Sequence, residues 1–159
     1  MRERGIDELY RTHGPSVLRR ALAILGSDAE ALDAVQEIFL DLLARPAQLD
    51  GVVKRMAWLY RKTTFHCLKQ IRDRGGHARI LRALPRPDRD APRAEQLTTV
   101  RDLLARLPGR LAEVAVYYYV DEMTHAEIAG ILGCSRRHIG DLLQNLQRRS
   151  DEDALSFAK

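Results

Sequence analysis

The sequence predicts an all-α fold: two small helical bundles joined by a flexible linker, the second containing a helix-turn-helix. Three observations carry this reading. Apolar residues recur every three or four positions over most of the chain. The breaks between these stretches hold Gly, Pro, Ser or Thr where helices start or stop. One central stretch, rich in Arg and Pro, loses the periodicity altogether.

In the first half, Ile6 to His13 spell a short helix broken at Gly14-Pro15. Pro15 suits the first turn of a new helix, where its missing N–H would have no partner anyway. From there Val17, Leu18, Ala21, Leu22 and Leu25 form an apolar stripe that stops at Gly26. Ser27 opens the next helix with Glu30 three positions on, the spacing of a reciprocal capping box. Leu32, Val35, Phe39, Leu42 and Leu43 keep helical spacing until Pro46. A long third helix runs from near Val52 to about Asp73, with Val53, Met56, Tyr60, Thr64, Cys67, Leu68 and Ile71 on its apolar face. Its opposite face carries Arg55, Trp58, Lys62, Phe65, Lys69 and Arg72, and residues 53–74 hold seven basic side chains against one acid.

From Arg74 to about Glu95 the chain holds adjacent glycines, three prolines and six arginines, and reads as a linker with one helical turn at Ile80–Leu84. The expected division is therefore a first domain over 1–74, a linker over 75–95 and a second domain over 96–159. Leu97, Val100, Leu103, Leu104 and Leu107 start the second domain, which breaks at Pro108-Gly109 and resumes through Leu111, Val114, Ala115 and Tyr118.

The net charge is +4, and its distribution is uneven. Residues 1–73 carry twelve basic and ten acidic side chains, 74–95 six and three, and 96–159 eight and nine. A polyanion would be held mainly by the first two segments, unless the third uses a few well-placed contacts. Cys67 and Cys134 lie far apart, with neither a disulfide framework nor metal-ligand spacing, which fits a reducing compartment. No apolar run approaches a membrane span and the first residues lack an apolar signal core, so a cytoplasmic protein without membrane insertion is expected.

Thr124 to Arg149 is the most specific stretch. Thr124 and Glu127 repeat the capping-box spacing, and Ala129, Gly133 and Ile139 stand four and six residues apart, as a helix-turn-helix requires. The alanine permits close helix approach, the glycine takes the left-handed conformation that ends the first helix, and Ser135 caps the second. Ile128, Ile131, Leu132, Leu142, Leu143 and Leu146 supply the remaining core. Arg136, Arg137 and His138 then stand at the exposed start of the second helix, where base edges are read. An ordinary helical hairpin with a solvated basic end is the alternative.

Taken together, these stretches resemble the extracytoplasmic-function sigma factors of bacterial RNA polymerase, over nearly the whole length and in the family's order. Asp33, Val35, Gln36, Glu37 and Phe39 match the D-x-V-Q-E-x-F pattern of its first domain; AWLYRKTTFHCLKQIRDR resembles the helix that follows; LLARLPGRLAEVAVYYYVDEMTHAEIAGILGCS resembles its second domain. The resemblance implies a factor that binds core RNA polymerase and directs promoter recognition. Asp33, Gln36 and Glu37 would dock on the clamp helices of the β′ subunit, and the β subunit would be a further contact. Arg55, Trp58, Lys62, Phe65, Lys69 and Arg72 would open and read the −10 element. Ser135, Arg136, Arg137, His138, Gln144 and Arg148 would read the −35 element. An anti-sigma factor is a further implied partner. No catalytic residue, metal, cofactor or small-molecule substrate is implied, because the polymerase performs the chemistry.

A helix with cations and rings on one face suits melted DNA, since charge tracks the backbone and rings stack on bases. Trp58 reads equally well as a core anchor; Phe65, among Lys62, Lys69 and Arg72, is the better exposed ring. Two departures stand out. Many relatives have Asn where Phe65 and Lys69 stand, and Lys and Arg where Gly140 and Leu142 stand. Gly140 either permits close approach to DNA or has no role. Two rival readings remain: a helix-turn-helix regulator acting without polymerase, and a sigma-like protein acting mainly through protein partners. An enzyme is disfavoured, because His13, His66, His77, His125 and His138 are scattered and no Gly-rich phosphate loop follows a strand.

Overall fold

The computed structural model describes residues 2–82 and 101–157, all helix or turn, with side chains described over 5–74 and 101–152. Its elements are α1 (Arg2–Leu25), α2 (Asp28–Ala44), a 3-10 turn (Pro46–Leu49), α3 (Arg55–Arg82), a helical segment α4 (101–106), α5 (Gly109–Ala115), a π-helical turn (Val116–Val120), α6 (His125–Leu132) and α7 (Arg136–Phe157). The chain falls into two compact units, Met1–Arg106 and Leu107–Lys159.

The first unit is a bundle of α1, α2 and α3. α1 runs unbroken through Gly14-Pro15, where the sequence suggests a stop. Proline removes one backbone hydrogen bond from a helix, but Ile6, Leu9, Val17, Ala21 and Ile24 stay in phase on both sides of it, and all are buried. Burying that continuous stripe outweighs one lost bond. Gly14 is buried beneath the Tyr10 ring, whose own partner is Phe39 of α2, edge to face at 4.9 Å.

α2 starts as its sequence demands at one end and departs at the other half of its box. The Ser27 hydroxyl accepts from the Glu30 N–H. The Glu30 carboxylate does not fold back; it takes Arg101 at 2.8 Å and Arg74 at 3.2 Å. Arg101 also donates to the Leu25 carbonyl, an orphan acceptor at the C-terminus of α1, so the α4 segment is fastened to the α1–α2 corner. The buried face of α2 is Ala31, Ala34, Val35, Ile38, Phe39 and Leu42. Leu32 and Leu43, expected in the core, are exposed instead, because the two alanines turn a narrower side of the helix inward.

α3 extends to Arg82, about two turns beyond the expected end near Asp73. Gly75 and Gly76 each cost about 1 kcal/mol in a helix relative to Ala but do not forbid it. The rest of the expected linker, 83–95, and the core positions Leu97 and Val100 lie outside the described residues. Leu59, Thr63, Thr64, Cys67, Leu68 and Ile71 are buried, whereas Val53 is almost fully exposed ahead of the helix. Arg20 of α1 reaches into this packing: it is buried, donates to the Thr64 hydroxyl at 3.0 and 3.2 Å, and lies 4.0 Å from the Tyr60 ring.

In the second unit, every residue from Leu111 to Tyr117 is buried. Burial stops at Tyr118, which leaves the core with Tyr119 and Val120 although its spacing suggests a core position. The π-turn closes through the Asp121 N–H to the Val116 carbonyl at 3.1 Å. Glu122 follows in the left-handed region at φ 53°.

Burial pushes the Cys67 thiol up to about 12, against the lowering influence of Arg20, while Cys134 is only half-buried. One thiol is therefore expected to react with a disulfide reagent in the native protein and the second only on unfolding. Cys134→Ser should abolish the native reaction; a native reaction persisting in that variant would contradict the packing of α3.

Candidate nucleic-acid interface

The helix-turn-helix is assembled from local chemistry. The Thr124 hydroxyl accepts from the Glu127 N–H, and the Glu127 carboxylate accepts from the Thr124 N–H at 2.8 Å, completing the expected capping box. The Thr124 N–H and hydroxyl, both donating to it, hold the Glu127 carboxyl below its usual range. At the other end of α6, Gly133 adopts φ 67°, ψ 37°, and the Gly133 and Cys134 N–H groups both turn back to the Ala129 carbonyl. Ser135 then caps α7, accepting from the His138 N–H at 3.1 Å. Ala129 and Ile139 are buried with Ile128, Leu132, Leu143 and Leu146; Ile131 and Leu142 are half-buried.

The packing leaves Ser135, Arg136, Arg137, His138, Gln144 and Arg148 exposed. Arg136, Arg137 and Gln144 line a cleft of about 560 Å³ with Thr124 and His125 at the start of α6. A second cleft, about 680 Å³, lies between α7 and the π-turn and is walled by Tyr118, Tyr119, Leu143 and Gln144. Tyr118 packs edge to face on Tyr119 at 5.0 Å and lies 5.7 Å from the His125 ring. Sequence reasoning missed these tyrosines. Their signal was present, since three consecutive tyrosines on a buried helix cannot all face inward. His125, Gly140 and Gln144 line both clefts.

On α3, Phe65, Lys69 and Arg72 are exposed, joined by Arg61 one turn before the ring; Arg61 is a further residue missed by sequence reasoning, legible as the i−4 neighbour of Phe65. Arg55 is exposed at the start of the helix. Trp58 and Lys62 are placed differently. Trp58 is half-buried and packs against the core cluster. Lys62 lies 5.2 Å from the Trp58 ring and donates at 2.8 Å both to the Asp41 carboxylate and to the Gln48 side chain. Gln48 and Arg45 also donate to Asp41. This network ties α2, the 3-10 turn and α3 together, and its donors, Lys62 foremost, hold the Asp41 carboxyl far below its usual range.

On α2, Asp33, Gln36 and Glu37 are all exposed within one turn. They do not stand alone: Leu32, Leu40 and Leu43 are 51%, 63% and 44% exposed on the same side, so the polar patch is set in an apolar stripe. Glu37 also meets the Nε2 of His66 on α3 at 3.1 Å. Burial pushes the His66 imidazole below its ordinary value, opposed by Glu37.

Two family models match the chain: sigma-70 region 2 over residues 9–77 and sigma-70 region 4 over residues 97–144. Among solved structures, the chain is similar to the sigma factor RpoE from Bartonella quintana, solved in complex with the anti-sigma factor NepR. That match has a TM-score of 0.52 and 17% identity, covering 92% of this chain and 94% of the other. Comparison with curated proteins gives no match.

Two outcomes test this geometry. Asp41→Asn should cost about 1 kcal/mol at pH 7. A depressed carboxyl contributes in full above its unfolded value near ~3.9 and loses that contribution progressively as pH falls from there through its lower folded value. The gap between variant and parent should therefore narrow from pH 7 to pH 3 and further toward pH 2; urea titrations at pH 7, 3 and 2 check the sign. Glu122→Gly should raise stability by roughly 0.5 kcal/mol by removing a left-handed side-chain conformation, read as a higher urea midpoint.

Proposed function

The chain belongs to the sigma-70 family of RNA polymerase sigma factors, with the two-region plan of the extracytoplasmic-function class, and we propose that three of its helices divide the work of promoter-directed initiation. α2 docks core polymerase through Asp33, Gln36, Glu37 and the exposed leucines around them. α3 meets the −10 element through Arg61, Phe65, Lys69 and Arg72, with Arg55 at its start, while Trp58 and Lys62 hold the helix in place from behind. α7 reads the −35 element through Arg136, Arg137, His138, Gln144 and Arg148, with Ser135 setting the start of the helix. Residues 1–74 and 96–159 are the functional domains in this reading.

The α2 face is the observation that favours a polymerase partner over a regulator acting on DNA alone. A row of exposed leucines, interrupted by Gln36, is unfavourable in water unless a partner covers it. A regulator acting on DNA as a single copy would leave such a face uncovered. The sigma-70 family is not an enzyme family; here the chain supplies surfaces and the polymerase supplies the chemistry of RNA synthesis. Among the described residues, no helix is long and apolar enough to cross a membrane, and we place the protein in the cytoplasm with its polymerase. An anti-sigma factor is the regulatory partner that the exposed α2 leucines would also suit.

Run-off transcription with purified core polymerase tests the assignment. Wild type should give promoter-specific transcripts. Leu40→Glu combined with Gln36→Ala should weaken core binding at least about tenfold without lowering Tm. Arg137→Ala should keep core binding and lose promoter-specific transcripts. Sequence-specific transcription control in the absence of any core interaction would instead establish the regulator reading.

A further inference from the structure

Gly140 lies inside a helix, where glycine is among the least favourable residues. Two structural reasons usually retain one there, and neither applies. The residue is not among those with positive φ. A Cβ built on it would meet nothing nearer than His125 Nδ1 at 3.9 Å, an ordinary contact. What the missing side chain does change is the space above it. Gly140 lines both clefts of the helix-turn-helix, and these share His125 and Gln144 as well. The two therefore adjoin at its bare backbone: Arg136, Arg137 and the Asp141 carboxylate lie along one, and Tyr118 and Tyr119 wall the other.

The tyrosine cleft is suited to a polyanionic strand. Its lining offers two phenol hydroxyls, the His125 ring, the amides of Gln144 and Gln147 and the guanidinium of Arg148, and includes no carboxylate. Hydroxyl, amide and guanidinium donors are the groups that position phosphate and sugar without reading bases. The π-turn is what places the rings there: Tyr117 is fully buried while Tyr118 and Tyr119 emerge beside α7, and π-turns inside helices frequently mark functional positions.

We propose that Gly140 lets one backbone of duplex DNA run across the start of α7 into the cleft walled by Tyr118 and Tyr119, so that these tyrosines extend the promoter contact beyond the recognition helix. The proposal rests on the reading of α7 as the DNA-reading helix. It makes Gly140 a determinant of affinity that is kept at the expense of helix stability, and Tyr119, the more exposed ring, a backbone contact.

The test uses holoenzyme reconstituted from the full chain and core polymerase, with promoter fragments that wild-type holoenzyme recovers from a genomic library. Gly140→Ala and Gly140→Leu both favour helix, and Ala should raise the Tm of the free protein by about 3 °C. Both should weaken promoter binding in proportion to side-chain size, about threefold for Ala and tenfold or more for Leu, with core affinity unchanged. Tyr119→Ala should weaken promoter binding several-fold, and Tyr119→Phe should lose part of that. If Arg137→Ala loses promoter binding while both Gly140 variants keep it, the cleft holds no DNA and the proposal fails with the α7 reading intact. If Arg137→Ala also binds normally, the α7 reading fails and takes the proposal with it. If Gly140→Leu loses core affinity instead, the cleft seats a polymerase segment, which equally overturns it.

Discussion

The first unit depends on one buried cation. Arg20 sits in the interface between α1 and α3, bonded to the Thr64 hydroxyl and lying over the Tyr60 ring. A guanidinium removed from water is tolerated only where its partners are in place, so this contact admits few rotations of α3 about its own axis. With Thr64, Cys67 and Leu68 turned inward, Phe65, Lys69 and Arg72 have to face out. The apolar stripe alone would be less exacting, because hydrophobic contacts tolerate small rotations that a directional hydrogen bond does not.

The second unit reaches the same end through its backbone. The left-handed Gly133 ends α6 abruptly, Ala129 keeps the two helices close, and Ile139 locks the far side. Three caps, at Thr124, Gly133 and Ser135, satisfy the orphan backbone groups at the helix ends without burying any polar side chain. The start of α7 is therefore held by caps and apolar packing, and Arg136 and Arg137 remain exposed. In both units the exposed face is what remains after the core and the caps have made their demands.

Much of this was legible in the sequence, because the relevant signals are local. Capping at Ser27, Thr124 and Ser135, the turn at Gly133 and the periodicity of α2, α3 and α7 all come from side chains acting within four residues of themselves. Where the local signal misled, either a longer-range contact had overridden it or the break was weaker than it read. Pro15 reads as a boundary, yet α1 passes through it because its stripe is buried on both sides. Gly75 and Gly76 read as the end of α3, yet the helix continues. Glu30 reads as half of a capping box, yet Arg101, seventy-one residues away, takes its carboxylate.

What the sequence by itself determined is therefore the helical class, the helix-turn-helix and the candidate faces, since each follows from spacing along one segment. Only the tertiary structure decided which members of a face are occupied. Lys62 and Phe65 share one side of α3 by spacing, but Asp41 and Gln48 come from α2 and the turn after it to hold Lys62, and nothing comes to cover Phe65 among the described residues. Likewise Tyr117 and Tyr118 are adjacent and chemically identical, and only the close of the second core at the π-turn buries the first and exposes the other. Availability is a property of what other segments bring to a side chain, and periodicity along one segment carries no record of it.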